Sequence, residues 1–234
     1  MILPLPIAVE PGDGSPLPER TTLIVWVWLA LALTTFACER LVVLDHDLRW
    51  GLAPEPVFAV VTFVMASWSL YADPALFAPW QPWTSTLVGN GWLFLLADLS
   101  VMLVVGRAAE RLAGSMAMAT ALFAAAALAG LAFCATARTG VFIGSAPLVL
   151  GAIGLVWAML PVGRVRFGIA WWAVVAVGVR PLIAVPLHTV ALGYLALHVL
   201  LAPQQLHLEA MLADAAALLA GFLAGLAARV RRAS

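Results

Sequence analysis

The chain has 234 residues, of which 64% are hydrophobic and only 10% are charged, and a soluble domain of this size would need far more charge to cover its surface. The twelve basic and twelve acidic residues cancel, and no basic stripe with interleaved aromatic residues suggests that the chain binds nucleic acid. The composition therefore predicts an integral membrane protein.

An N-terminal tail and seven apolar stretches follow one another along the chain. Residues 1–20 contain five prolines and no basic cluster, so we expect an extended tail and not a signal peptide. A helix advances about 1.5 Å per residue across roughly 30 Å of hydrocarbon. Seven stretches are long enough to predict transmembrane helices, at residues 22–37, 57–72, 92–105, 116–133, 146–160, 183–201 and 212–228.

The arginines predict the orientation of these seven spans, because basic residues accumulate in cytoplasmic loops. All twelve basic residues are arginines. The predicted loops on one side hold ten of them and those on the other side hold only Arg20 and Arg138, which predicts an N-terminus outside and a C-terminus inside. The apolar segment 167–179 is bracketed by two of the inner arginines and is too short to cross, so we expect it to lie along the inner surface.

Short motifs from residue 80 onward match the order of motifs in a known family. A tryptophan-rich loop leads through Gly91-Trp92 into the third predicted span, which closes at Gly106-Arg107 and Glu110. Residues 144–151 run Gly-Ser-Ala-Pro-Leu-Val-Leu-Gly, and residues 214–221 run Asp-Ala-Ala-Ala-Leu-Leu-Ala-Gly. Together these stretches resemble the rhomboid intramembrane proteases.

The resemblance implies an all-α membrane fold. It places a six-helix rhomboid-like core at residues 57–234, with an extra transmembrane helix at 21–38 and a cytoplasmic linker at 39–56. Two pairs of small residues, on the helix that follows residue 145 and on the last helix, are expected to let these two helices pack closely. The pairs are Gly151 with Gly154, and Gly221 with Gly225.

The resemblance also implies that the catalytic groups are missing. The positions that match the family's serine nucleophile and histidine base hold Ala146 and Leu218, which can neither attack a carbonyl nor carry a proton. The positions that match its oxyanion donors hold Phe94 and Asp98, and an ionised carboxylate would repel an oxyanion. A register slipped by one residue would make Ser145 the nucleophile, with His207 of the outer loop as the nearest candidate base.

Three polar residues within predicted spans have two interpretations each. Asp98 is expected to face protein, and to be protonated if it lies near the bilayer centre; it either bonds to a neighbouring helix or meets a polar group on a partner's transmembrane segment. His188 and His198 are more often packed or satisfied side chains, and the less frequent use is ligation of a haem or a chlorophyll-type magnesium. We therefore predict no cofactor and no metal site.

The predicted function is non-enzymatic. A rhomboid-like scaffold without catalysis would bind transmembrane helices of partner proteins, as an accessory subunit or an assembly factor of a larger membrane complex. The localisation that we expect is the bacterial inner membrane. The alternatives are an active protease with the displaced pair Ser145 and His207, or a small transporter, which the scarcity of intramembrane charge disfavours.

Overall fold

The computed structural model describes residues 2–12, 17–18, 22–48, 63–64, 66–71, 73, 75–88, 92–137, 140–173, 176–201 and 207–233. Most of them are helical. The helices are α1 (Leu23–Leu48), α2 (Gln81–Thr84), α3 (Trp92–Val101), α4 (Arg107–Ala113), α5 (Ser115–Thr136), α6 (Ala146–Met159), α7 (Leu187–Leu201) and α8 (His207–Ala233). A 3-10 turn at Ser85–Leu87 follows α2, and a π-helical segment at Met102–Gly106 joins α3 to α4. The strands are β1 (Ile2–Glu10), β2 (Leu70–Tyr71), β3 (Val141–Phe142), β4 (Arg164–Ala173) and β5 (Ala176–Pro186).

The helices overlap six of the seven predicted spans. Three segments, Leu23–Arg40, Ser115–Thr136 and Leu208–Arg232, are long and apolar enough to cross a bilayer, and α6 is a shorter apolar helix. Half of the predicted span at 57–72 lies outside the described residues; of the rest, residues 63–64 and 66–68 are helical, and Leu70–Tyr71 form β2, which pairs with β3. The predicted linker at 39–56 begins inside α1, because that helix continues to Leu48.

The centre of the bundle is α6. Nearly all of its side chains are buried, as expected for a helix that is apolar on every side. It packs against α5, α7 and α8. Gly151 and Gly154 of α6 lie against the backbone of α8 near Gly221, and Gly225 of α8 lies against Leu155. Gly151 of α6 thus lies beside Gly221 of α8, and Leu155 lies beside Gly225. Because the residue numbers of the contacting positions increase together on the two helices, α6 and α8 run parallel.

The N-terminal segment is a β-strand and not an isolated tail. β1 pairs antiparallel with β4, which pairs antiparallel with β5, so the sheet has the order β1-β4-β5. The tail's Pro4 and Pro6 are compatible with this arrangement because β1 is an edge strand, where a missing N–H can face away from the ladder. The segment 167–179, predicted to lie flat on the membrane, forms most of the β4–β5 hairpin.

The start of α1 and the end of α6 lie on the same face of the bundle, and the predicted outward N-terminus is therefore wrong. Glu110 of α4 accepts hydrogen bonds from the first-turn amides of Ile24 and Val25, and β1 pairs with the strand that follows α6. This face also carries the arginine-rich end of α8, which the basic-residue rule predicts to be cytoplasmic. With the first helix reversed, nine arginines lie on the inner side and three on the outer side, compared with ten and two in the predicted topology. The two counts are so similar that the basic-residue rule does not distinguish an inner from an outer N-terminus.

The first helix belongs to the bundle instead of standing apart from it. Val25, Trp28, Leu29 and Ala32 of α1 are buried in the same apolar core as α5 and α6. The fully buried Glu110 holds its N-terminus in place. α1 therefore packs directly against the other described helices, and the division into an extra helix at 21–38 and a six-helix core at 57–234 stays a prediction.

Candidate functional site

The candidate site lies where the beginning of α6 meets α3 and α7. Gly144 precedes α6 with a φ of 117°, which favours glycine, and its amide donates to the Ser85 carbonyl at 3.0 Å. Ser145 is the N-cap residue of α6 and makes no side-chain capping bond. The sharp turn at Gly144 thus directs the Ser145 side chain toward α3.

Asp98 of α3 is bonded within the protein on both carboxylate oxygens. The Ser145 hydroxyl donates to Oδ2, and the Tyr194 hydroxyl of α7 donates to Oδ1. Only 3% of Asp98 is exposed. Of the two interpretations of this residue, the contacts favour a bond to neighbouring helices and not to a partner protein.

A second polar pair lies beside the first. His198 Nδ1 of α7 is 2.6 Å from Asp214 Oδ2 of α8, and both residues are buried. The imidazole stacks on the Tyr194 ring with a 5° interplanar angle, and it is nearly perpendicular to the Phe94 ring of α3, at 79° and 5.7 Å between centroids. Because Tyr194 and His198 are four residues apart, one face of α7 joins both pairs into a single network.

A small pocket adjoins this network. Thr86, Asp98 and Ser145 are its polar lining residues, and the apolar ones are Ala32, Phe36, Leu87, Val88, Phe94 and Leu95. The pocket is therefore mainly apolar, with one carboxylate and two hydroxyl groups in its lining.

A family model described as the Rhomboid domain matches residues 77–232, about two thirds of the chain. The chain belongs to the rhomboid family. No curated protein sequence matches it. The match confirms the resemblance that the motifs predicted, and with the apolar helices it identifies an integral membrane protein.

The rhomboid motif positions can be placed on this geometry. Gly221 of α8 lies against Gly151 of α6, and Leu218 is one turn before Gly221. Since the two helices run parallel and side chains tilt toward the N-terminus, Leu218 lies near the level at which α6 begins, where Ala146 is fully buried. The loss of the rhomboid serine and histidine at these two positions stays a prediction from the alignment.

The other predicted site residues are not brought together. His188 is exposed and lies 6.4 Å from the Trp157 ring, centroid to centroid, whereas one nitrogen of His198 is engaged by Asp214. The side chain of His207 lies outside the described part of the chain. Within the described ranges, no group of three or more His, Cys, Asp or Glu side chains could hold a metal ion.

Sequence reasoning missed two members of the site and one structural acid. Asp214 and Glu110 are fully buried in addition to the nearly buried Asp98, so the argument from scarce intramembrane charge against a transporter is incomplete. Tyr194 was not considered at all. A tally of every polar side chain within a predicted span would have identified Tyr194 and Asp214, because such residues need partners in a membrane, whereas Glu110 lies between two predicted spans.

Proposed function

We propose that this rhomboid-family protein does not cleave peptide bonds, and that it binds transmembrane helices of partner proteins as an accessory subunit or an assembly factor. An exposed apolar surface favours lateral contacts within the membrane. Exposed leucines on α7 offer such a surface, with Leu192, Leu197 and Leu200 between 47% and 77% exposed.

The observation that carries the proposal is the hydrogen bond from Ser145 to Asp98. A serine nucleophile needs a base that takes its proton and then gives it to the leaving group, which an imidazole does well. Here the hydroxyl is bonded to a carboxylate that also accepts from Tyr194. A negative charge at the place where an oxyanion would form opposes the reaction.

We expect no cleavage of a model transmembrane substrate by the wild-type protein. The protein and the substrate are reconstituted together in proteoliposomes, and the products are followed by gel and mass spectrometry. Ser145→Ala should give the same result as wild type. Ser100→Ala is the matched control, since Ser100 bonds its own helix at Ala97 and does not reach Asp98. Cleavage by wild type that is lost in Ser145→Ala alone would refute the proposal.

The partner-binding part is tested by gentle extraction from native membranes. An accessory subunit should co-purify with other membrane proteins in a fixed ratio, whereas an assembly factor should be recovered with less than one partner per copy. Quantitative mass spectrometry of the purified material measures the ratio. A monodisperse protein that carries no membrane protein above the level of a tagged control would contradict this part of the proposal.

A second candidate function is hydrolysis by a displaced serine centre. His198 uses Nδ1 to contact Asp214, and this leaves Nε2 available as a base, as in serine hydrolases. Ser145 would have to turn from Asp98 toward His198. Reaction of Ser145 with a fluorophosphonate probe that is lost in both Ser145→Ala and His198→Ala would establish this function in place of the first.

A further inference from the structure

We infer that the network of Asp98, Ser145, Tyr194, His198 and Asp214 is a proton-binding site, in which Oδ1 of Asp214 carries an exchangeable proton while Asp98 is ionised. This inference does not depend on the proposed function. It follows from the hydrogen bonds, the one oxygen without a bond, and the balance of charge in the bundle interior.

Asp98 has the environment of a carboxylate anion. Each of its oxygens accepts a hydroxyl hydrogen bond, from Ser145 and from Tyr194, so neither oxygen needs a proton to be satisfied. Ser145 is also the N-cap of α6, and the N-terminus of a helix favours a negative charge. The sequence alone suggested a protonated Asp98, and these contacts place the proton elsewhere.

Asp214 has the environment of a neutral acid. Its Oδ2 lies 2.6 Å from His198 Nδ1. Its Oδ1 is buried and has no hydrogen-bond partner among the described residues, and the residue is fully buried. A bare carboxylate oxygen in such a place keeps the full cost of its lost hydration. A proton on Oδ1 removes the charge and leaves Oδ2 to accept from His198.

The charges balance only when this proton is present. With Asp98 and Asp214 ionised and His198 protonated, the network has a net charge of about −1, and one more proton brings it to zero. The titratable groups that interact with one another here come from α3, α7 and α8. The residues that α1, the 3-10 turn and the N-cap of α6 contribute to the pocket beside Asp98 are not titratable at ordinary pH; they are Ala32, Phe36, Thr86, Leu87 and Ser145.

The proton also has a structural consequence. The network joins α3 and α6 through Asp98, α7 through Tyr194 and His198, and α8 through Asp214. Loss of the proton would leave an unbalanced negative charge between these four helices. We therefore expect α7 to be held most firmly against its neighbours when the proton is bound.

Infrared spectroscopy of the full-length protein in lipid nanodiscs tests the inference, because the carbonyl band of a neutral carboxyl group is separate from the bands of a carboxylate. We expect wild type at neutral pH to show one such band that shifts in D2O. Asp214→Asn should lose the whole band. Asp98→Asn should lose it as well, because the pair of ionised Asp214 and protonated His198 is then neutral without the extra proton.

Two further variants separate this result from misfolding. His198→Gln should keep the band, since removal of the positive charge strengthens the need for the proton. Asp73→Asn, which replaces an exposed acid, should leave the spectrum unchanged. All variants are first required to elute as a single species with wild-type helicity. A wild-type spectrum without the band, a band that persists in Asp214→Asn, or an undiminished band in Asp98→Asn would each overturn the inference.

Discussion

Gly221→Ala should destabilise the folded protein by about 3 kcal/mol, because overpacking a rigid contact costs this much when no side chain can move away. A Cβ atom at position 221 would lie 2.6 Å from the carbonyl carbon of Gly151 and 2.8 Å from its Cα. Both are backbone atoms of α6, so relief requires the two helices to separate. Equilibrium unfolding in mixed detergent micelles, followed by circular dichroism, measures the change.

Gly193→Ala is the matched control for this prediction. Gly193 lies on α7, and a Cβ atom there would meet nothing within 4 Å. Alanine is a better helix former than glycine by roughly 1 kcal/mol, so this variant should be as stable as wild type or more so. Equal losses in the two variants would mean that the α6–α8 contact is not the tight one that we describe.

Glu110→Gln should cost about 3 kcal/mol of folding free energy, since hydrogen bonds to a charged group are worth more than neutral ones. The carboxylate accepts from the amides of Ile24 and Val25 and from the Ser115 hydroxyl at 2.7 Å. The glutamine side chain keeps only one acceptor oxygen. Its NH2 group replaces the other oxygen and would face a hydrogen-bond donor that the carboxylate had accepted from. The substitution also removes the negative charge from the N-terminus of α1.

The consequence for α1 distinguishes this variant from a general loss of stability. We expect residues near the start of α1 to become accessible to limited proteolysis in Glu110→Gln before the rest of the protein unfolds. Ser115→Ala removes only one of the three bonds and should cost about 1 kcal/mol. A Glu110→Gln variant that is no less stable than Ser115→Ala would show that the carboxylate does not anchor α1.

The part of the fold that the sequence predicted well depends on local patterns. The spans that became α3, α5, α6 and α8 were found from apolar length, which a bilayer imposes on each helix separately. The glycines of residues 144–151 and 214–221 were recognised as a family pattern, and the Rhomboid domain match covers both. The proline-rich N-terminus was correctly expected to be extended.

The errors concern pairings between distant residues. The extended N-terminus was assigned no partner, yet Glu10 pairs with Arg164 in the sheet. The direction of α1 was decided by an arginine count that two topologies satisfy almost equally, whereas the contact between Glu110 and Val25 spans 85 residues. No local pattern distinguishes these alternatives.

By itself, the sequence determined that this chain is a membrane protein of the rhomboid family. Composition, span length and motif order depend only on the order of the residues and not on contacts between distant parts of the chain. Only the tertiary structure decided which polar groups share a site. Asp98, Tyr194 and Asp214 lie on three different helices, and Asp98 and Tyr194 are 96 residues apart. Each polar group must find a partner within the bundle because lipid offers none, and which partner it finds depends on how the helices pack.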